Sequence, residues 1–326
     1  MSTRINTNTT AFEAANNLSI NSAALSKNIE RLSSGLRINS AADDASGLVI
    51  SESLRAQSAG LDQATRNTND AINVVKTAEG ALNEVHSLLI NIRQLVVHAA
   101  NVGVNDPTAL SADKAAIQQA VDSIDRIAKT TQFNNKNLLI GSGPGGAIAT
   151  GAETTANAAN SLVFQIGANN GQTVSVAVDD SRSVNLGKEA ANATYTGVGN
   201  TTATFAAAHS LSDLGTAGSA GSTGIDVTDA TGAGAQQALA IVDKAITDVS
   251  NTRAKLGAVQ SNELESNVRS LAVAKQNTDA SQSTIRDTDL SSEIVNFTKN
   301  QILVQAGTSA LAQANSAPQA ILKLLG

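Results

Sequence analysis

The sequence predicts a mainly α-helical chain: long helices in an antiparallel coiled-coil or helical bundle formed by the N- and C-terminal parts, with a β-hairpin and a small β-containing insertion between them. Three observations carry this. Apolar residues recur at alternating spacings of three and four over long stretches near both ends. In one short central stretch the period drops to two. Aromatic residues make up only 2% of the 326 residues, with no Trp and a single Tyr. An apolar content drawn mostly from Ala, Val, Ile and Leu suits helices packed side by side, because thick globular cores rely on the large buried areas of aromatics.

The N-terminal helix is predicted from Ala11, with Ala15, Leu18, Ser22, Leu25, Ile29, Leu32 and Leu36 on one seam. The stretch SSGLRINSAADDASGL interrupts it with glycines and a Ser/Asn/Asp cluster. A long helix follows, in which Leu54, Leu61, Thr68, Val75, Leu82, Leu89 and Val96 recur every seventh residue. Gln57, Ala64, Ala71, Ala78, Val85, Ile92 and Ala99 recur three places later. Gly103 and Pro107 close that helix, and Ser111 is the expected cap of a shorter one carrying Ile117, Val121, Ile124 and Ala128.

Leu162, Phe164 and Ile166 then alternate with small or polar residues, GANNGQ turns the chain, and Val174, Val176 and Val178 alternate in their turn. Asn170-Gly171 marks a β-hairpin. Residues from about 180 to 230 are rich in Gly, Ala, Ser and Thr, so they can build only a weakly cored lobe or loop. Helical spacing returns at Gln236 with Leu239, Val242, Ile246, Val249 and Leu256. The stripe next steps by eight to Leu264, then on to Leu271, so the seam is expected to drift around the helix there.

After the polar stretch NTDASQSTIRDTDLSSE, the tail from Leu290 carries Ile294, Phe297, Val304, Leu311, Leu322 and Leu325 on one stripe. A second stripe of mostly small residues runs through Leu303, Gly307, Ala310 and Ala314. Two apolar faces require at least two neighbours. The N-terminal seam can supply only one of them.

The formal net charge of −6 and a charged fraction of 15% argue against nucleic acid and anionic membranes as partners. No run approaches the roughly 18 apolar residues of a membrane span, and MSTRINTNTTAFEAANNLSI has no apolar core of a secretory signal. With no cysteine there is no disulfide and no thiolate site. His86, His98 and His209 have no metal-ligand spacing, so no metal is expected. Asp43-Asp44 reads as a loop or helix-start pair, and GSGPGGAIATG lacks the lysine of a phosphate loop. No cofactor and no enzymatic activity are expected.

Several stretches, in order, carry a family resemblance: RINTN near the start, LSSGLRINSAADDASGLVISESLRAQ, NTNDAINVVKTAEGALNEV, IDRIAKTTQFNNKNLL, FQIGANNGQT and FTKNQILVQAGTSALAQANSAPQAILKLL. Over all but about residues 180 to 230 the chain resembles bacterial flagellin. The resemblance implies a structural subunit that polymerises into the helical flagellar filament used for swimming, secreted by the flagellar type III route without a cleaved signal. The alternative is a junction protein between hook and filament.

It also implies three regions. Residues 1–44 with 288–326 would form the terminal coiled-coil core of the polymer, 45–178 with 231–287 a surrounding long-helix shell, and 179–230 a variable outer insertion. Subunit packing would fall to Leu18, Leu25, Ile29, Leu32, Leu36, Ile294, Phe297, Val304, Leu311, Leu322 and Leu325. The partners implied are other copies of the chain, an export chaperone on the C-terminal helix, and hook-associated and cap proteins.

In the family an innate immune receptor reads a Q-R-x-R-E-L stretch, matched here at Arg93 and Leu95. Asn91 stands in place of its first arginine and Ala116 in place of a glutamate on the neighbouring helix. Loss of one interface guanidinium can cost about 2 kcal/mol or more, which weighs against receptor activation.

Overall fold

A computed structural model describes residues 7–140, 160–188, 194–196, 202–204, 209–214, 225, 227–228 and 233–325, with side chains described to residue 316 at the C-terminal end. Among the described residues six α-helices form where the 3-4 spacing is sustained: α1 (Thr9–Ser34), α2 (Ala45–Ala99), α3 (Pro107–Thr130), α4 (Ala233–Ala258), α5 (Glu265–Arg286) and α6 (Leu290–Leu325). The described residues between α3 and α4 form three two-stranded antiparallel ladders: β1 (Gln132–Phe133) with β2 (Lys136–Asn137), β3 (Asn160–Gln165) with β4 (Thr173–Val178), and β5 (Thr194–Thr196) with β6 (Thr202–Thr204). The chain divides into two compact units. Unit 1 comprises residues 1–60 and 273–326, and unit 2 comprises residues 61–272.

In unit 1, α1 and α6 pack antiparallel: Asn8 meets Ala314, Leu18 meets Gly307 and Arg31 meets Glu293. Asn8 caps α1, its side chain accepting from Ala11 N at 3.1 Å while its Nδ2 donates to the Ala314 carbonyl at 2.8 Å. The expected break follows. Gly35 closes α1 in the left-handed conformation, and an isolated antiparallel bridge joins Leu36 to Asp287. The Asp43-Asp44 pair takes the expected loop and helix-start roles. Asp43 accepts from the Asn39 and Ser40 amides and pairs with Lys27 at 2.7 Å, and Asp44 accepts from Gly47 N at 2.8 Å to start α2.

In unit 2 the seam read from the sequence is the core. Leu61, Ala64, Thr68, Ala71, Val75, Ala78, Leu82, Val85, Leu89, Ile92, Val96 and Ala99 of α2 are all buried. Those from Ala71 to Val96 pack in one cluster with Ile117, Val121, Ile124 and Ala128 of α3 and Val242, Val249 and Leu256 of α4. Two details differ from expectation. Asp106, not Ser111, caps α3, accepting from Ala109 N at 2.7 Å with Pro107 at the first helical position, where its missing N–H costs nothing. The polar stretch expected to separate two helices is itself helical as far as Arg286, so the break before α6 shrinks to residues 287–289.

The step of eight has a physical resolution. Val259–Leu264 forms a π-helical turn between α4 and α5. Such a turn holds one residue more than an α-turn, so the seam does not drift, and Leu264 and Leu271 stay buried. The β3–β4 hairpin is present with Leu162 opposite Val176 and Phe164 opposite Val174. Its connection runs over residues 166–172, with Gly171 at φ 82. The Gln172 side chain accepts from Asn169 N at 3.0 Å and closes the loop. A tighter turn was not foreseen: Asn134 and Asn135, both left-handed at φ 46 and 66, join β1 to β2 in the two-residue hairpin geometry that asparagine tolerates.

Candidate functional site

The feature that departs from an ordinary folded protein is the terminal helix pair of unit 1. The residues of α1 that face α6 are Ala11, Ala14, Leu18, Asn21, Leu25, Asn28 and Leu32. Those of α6 that face back are Glu293, Phe297, Asn300, Val304, Gly307, Leu311 and Ala314. Both sets keep strict 3-4 spacing, as a coiled-coil seam requires. Each differs by one place, at every second position, from the stripe that hydrophobicity alone picks out.

Leu18, Leu25, Leu32, Leu36, Phe297, Val304 and Leu311 are therefore half-buried. Ile29 and Ile294, read as members of the same stripes, are 51% and 54% exposed, while their neighbours Asn28 and Glu293 are only 7% and 5% exposed. Leu322 and Leu325 lie outside the residues whose side chains are described.

Unit 1 also turns large apolar side chains to solvent among its polar ones. Phe12, Ile20, Val49, Ile50, Leu290, Val295, Ile302 and Leu303 are all exposed. Among the described residues, eleven of the fifteen exposed large hydrophobics belong to unit 1, whereas its only buried hydrophobic is Ile38. Unit 2 has the reverse arrangement, with every other buried hydrophobic of the described set. Large apolar side chains gathered on the outside of one unit, with almost none buried inside it, point to a surface that a partner covers.

Polar groups of unit 1 tie its segments to one another. Arg37 donates to the Ile285 carbonyl at 2.6 Å, Arg286 pairs with Glu52 at 2.6 Å, and Asp279 accepts from Ser58 at 2.5 Å and Lys275 at 2.8 Å. The bonds from Lys275 and Ser58 hold the Asp279 carboxyl below its ordinary range. The Lys27 ammonium, with the Ser40 amide, holds Asp43 far below it. In unit 2, burial pushes Asp125 up, but the Ser183 amide at 2.7 Å and Lys129 outweigh it and keep the group lowered. Asp43 and Asp125 hold loops, and Asp279 ties α5 to α2 through Ser58. Among the described residues no group of three His, Asp or Glu side chains could hold a metal, and no helix is long and apolar enough to cross a membrane.

Arg93 is exposed on α2 and donates to Asp243 of α4 at 2.7 Å, and Leu95 is half-buried against the unit 2 core.

Models of the bacterial flagellin N-terminal and C-terminal helical regions match residues 5–143 and 239–325. The chain is 44% identical over 323 residues to a flagellin of Bacillus subtilis, an alignment covering 99% of each. It belongs to the bacterial flagellin family. A flagellin of Halalkalibacterium halodurans is 39% identical over 325 residues, covering 98% of this chain and 99% of that one. The flagellar filament 31.3 kDa core protein of Treponema maltophilum is 37% identical over 321 residues, with the same coverage. Flagellins are structural subunits of the flagellar filament, outside the cell, and the inside-out terminal helix pair described above belongs to such a subunit.

Proposed function

We propose that this flagellin polymerises through the outward apolar faces of α1 and α6, with residues 1–44 and 288–326 building the filament core, 45–178 and 231–287 its shell, and 179–230 its outer insertion. One observation carries the reading: α1 and α6 turn Ile29 and Ile294 to solvent while burying Asn28 and Glu293. That arrangement is unfavourable for a monomer and favourable once another copy covers the isoleucines. Removing a large aliphatic side chain from water is worth about 1.5–3 kcal/mol, against the entropy of ordering the terminal helices. A contact between unlike patches of identical subunits does not close on itself and so extends into a helical filament.

On this reading Ile29 and Ile294 pack between copies, Leu18, Leu25, Leu32, Phe297, Val304 and Leu311 hold α1 to α6 within each copy so that those faces stay outward, and Leu36, Leu322 and Leu325 join the contacts between copies. The same apolar tail is the surface an export chaperone would cover before assembly, and hook-associated and cap proteins would meet it at the two filament ends. The chain acts by assembly, without catalysis. Arg93, with its guanidinium on Asp243, and Leu95 offer a receptor only part of the family's contact set, since Asn91 and Ala116 depart from it.

The test is sedimentation and negative-stain imaging of the full chain seeded with filament fragments, beside a version lacking residues 290–326. Long filaments from the full chain and none from the truncation support the reading. A full chain that stays monomeric under seeding but caps hook ends replaces it with the junction-protein role.

A further inference from the structure

The large side chains of the α1–α6 seam are degenerate with respect to register. Leu18, Leu25 and Leu32 repeat every seven residues, and so do Phe297, Val304 and Leu311. Sliding α6 by one heptad therefore brings leucines against the same ladder, and the small Gly307 and Ala314 exchange places beneath Leu18. Apolar packing alone leaves several alignments close in energy. The charged positions Arg31 and Glu293 do not repeat in this way.

Arg31 Nη1 lies 4.0 Å from Glu293 Oε2. Three buried atoms of this layer, Asn28 Nδ2, Arg31 Nε and Glu293 Oε1, have no hydrogen-bond partner among the described residues. A layer that contributes so little bonding, at seam positions where leucine would pack, is poorly explained by stability. It is well explained by selection among alignments. A slip of seven in one sense sets Glu293 opposite Ala24 and carries Arg31 past Leu290, where α6 begins. A slip in the other sets Arg31 opposite Asn300 and carries Glu293 past Ser34, where α1 ends. Both bury a lone charge, which costs more than any alignment of leucines recovers.

We propose that Asn28, Arg31 and Glu293 form a polar layer that sets the register of α1 against α6. Register decides which residues of the two helices lie side by side, and hence the shape of the apolar surface offered to the next copy. The inference rests on the filament reading only for the state in which it is tested.

The chain has no cysteine, so introduced pairs report without background. Leu18 Cβ lies 3.7 Å from the position a Cβ on Gly307 would occupy, inside the roughly 3.5–4.5 Å range of disulfides. Leu18→Cys with Gly307→Cys therefore reports the native register. Leu18→Cys with Ala314→Cys or with Asn300→Cys reports a slip in either sense. Each pair is oxidised in seeded filaments and read as the intramolecular, monomer-sized product.

With the polar layer intact the native pair dominates. In Arg31→Glu the slipped products rise by about fivefold or more, or growth stops, and in Arg31→Glu with Glu293→Arg the native pattern and growth return. A single reversal that keeps the native pattern overturns the proposal, as does a double reversal no better than the single one. If the chain without introduced cysteines forms no filaments, the polymerisation reading fails instead.

Discussion

Leu18 packs directly over Gly307: a Cβ placed on the glycine would stand 3.3 Å from Leu18 Cδ1 and 3.7 Å from its Cβ. The two helix backbones approach closely at this point because one residue has no side chain. Gly307→Ala combines a gain in helix propensity of about 1 kcal/mol with a contact that Leu18 must relieve by a few tenths of an ångström, so a net change within about 1 kcal/mol is expected. Gly307→Val adds branches that Leu18 cannot clear, and seeded growth should fall sharply. Equal growth rates for Val and Gly at this position would contradict the close packing.

The π-turn at Val259–Leu264 exists to hold one residue more than an α-helix can. Deleting the exposed Asn262 should convert α4, the π-turn and α5 into one regular helix, with Leu256 and Leu264 left seven places apart and both still buried. The deletion variant is expected to unfold at the same or a higher temperature than the parent. A large loss of stability in a thermal scan would show that the extra residue serves packing that the seam does not reveal.

Asn267 Nδ2 donates to the Ile166 carbonyl at 2.7 Å, and Asn67 Nδ2 donates to the Gln165 carbonyl at 3.1 Å, so two helices hold the same end of the β3–β4 hairpin. Asn267→Ala should cost about 1 kcal/mol in chemical denaturation and speed amide exchange along β3 and β4 before it does so in α2. Uniform acceleration across unit 2 would argue against a local clasp.

Asp43, Asp125 and Asp279 all titrate below their ordinary value of 3.8 in the folded chain. Because the folded value is the lower one, their contribution to stability is complete above 3.8 and is lost as pH falls below it. Helical content followed from pH 7 downward should therefore hold until about pH 4 and then decline. Asp43→Asn should flatten the unit 1 part of that decline. A loss of structure between pH 7 and 5, where none of these groups changes charge, would have to come from elsewhere.

Unit 2 was nearly all legible in the sequence, because there hydrophobicity and burial coincide: the heptad ladder from Leu61 to Ala99 is the buried face of α2. Unit 1 was legible as helices but misread by one residue at alternate seam positions. Hydrophobic periodicity places isoleucine inside, and so favours Ile29 over Asn28 and Ile294 over Glu293. Where a protein is completed by other copies of itself, that placement fails. The alternation of leucine with asparagine along α1 was the available signal. The Asn134-Asn135 turn was missed because its strands are only two residues each, too short to show alternation.

The most direct test of assembly through outward apolar faces is a pair of substitutions on α6, Ile294→Asp with Ile302→Asp, compared with Leu89→Ala in the unit 2 core. Both isoleucines are exposed, and Leu89 is fully buried. Leu89→Ala should cost about 2–5 kcal/mol in monomer unfolding. The double aspartate variant should unfold within about 0.5 kcal/mol of the parent, as surface changes do, yet fail to extend seeds. Filament growth at the parental rate from the double variant would contradict the central claim.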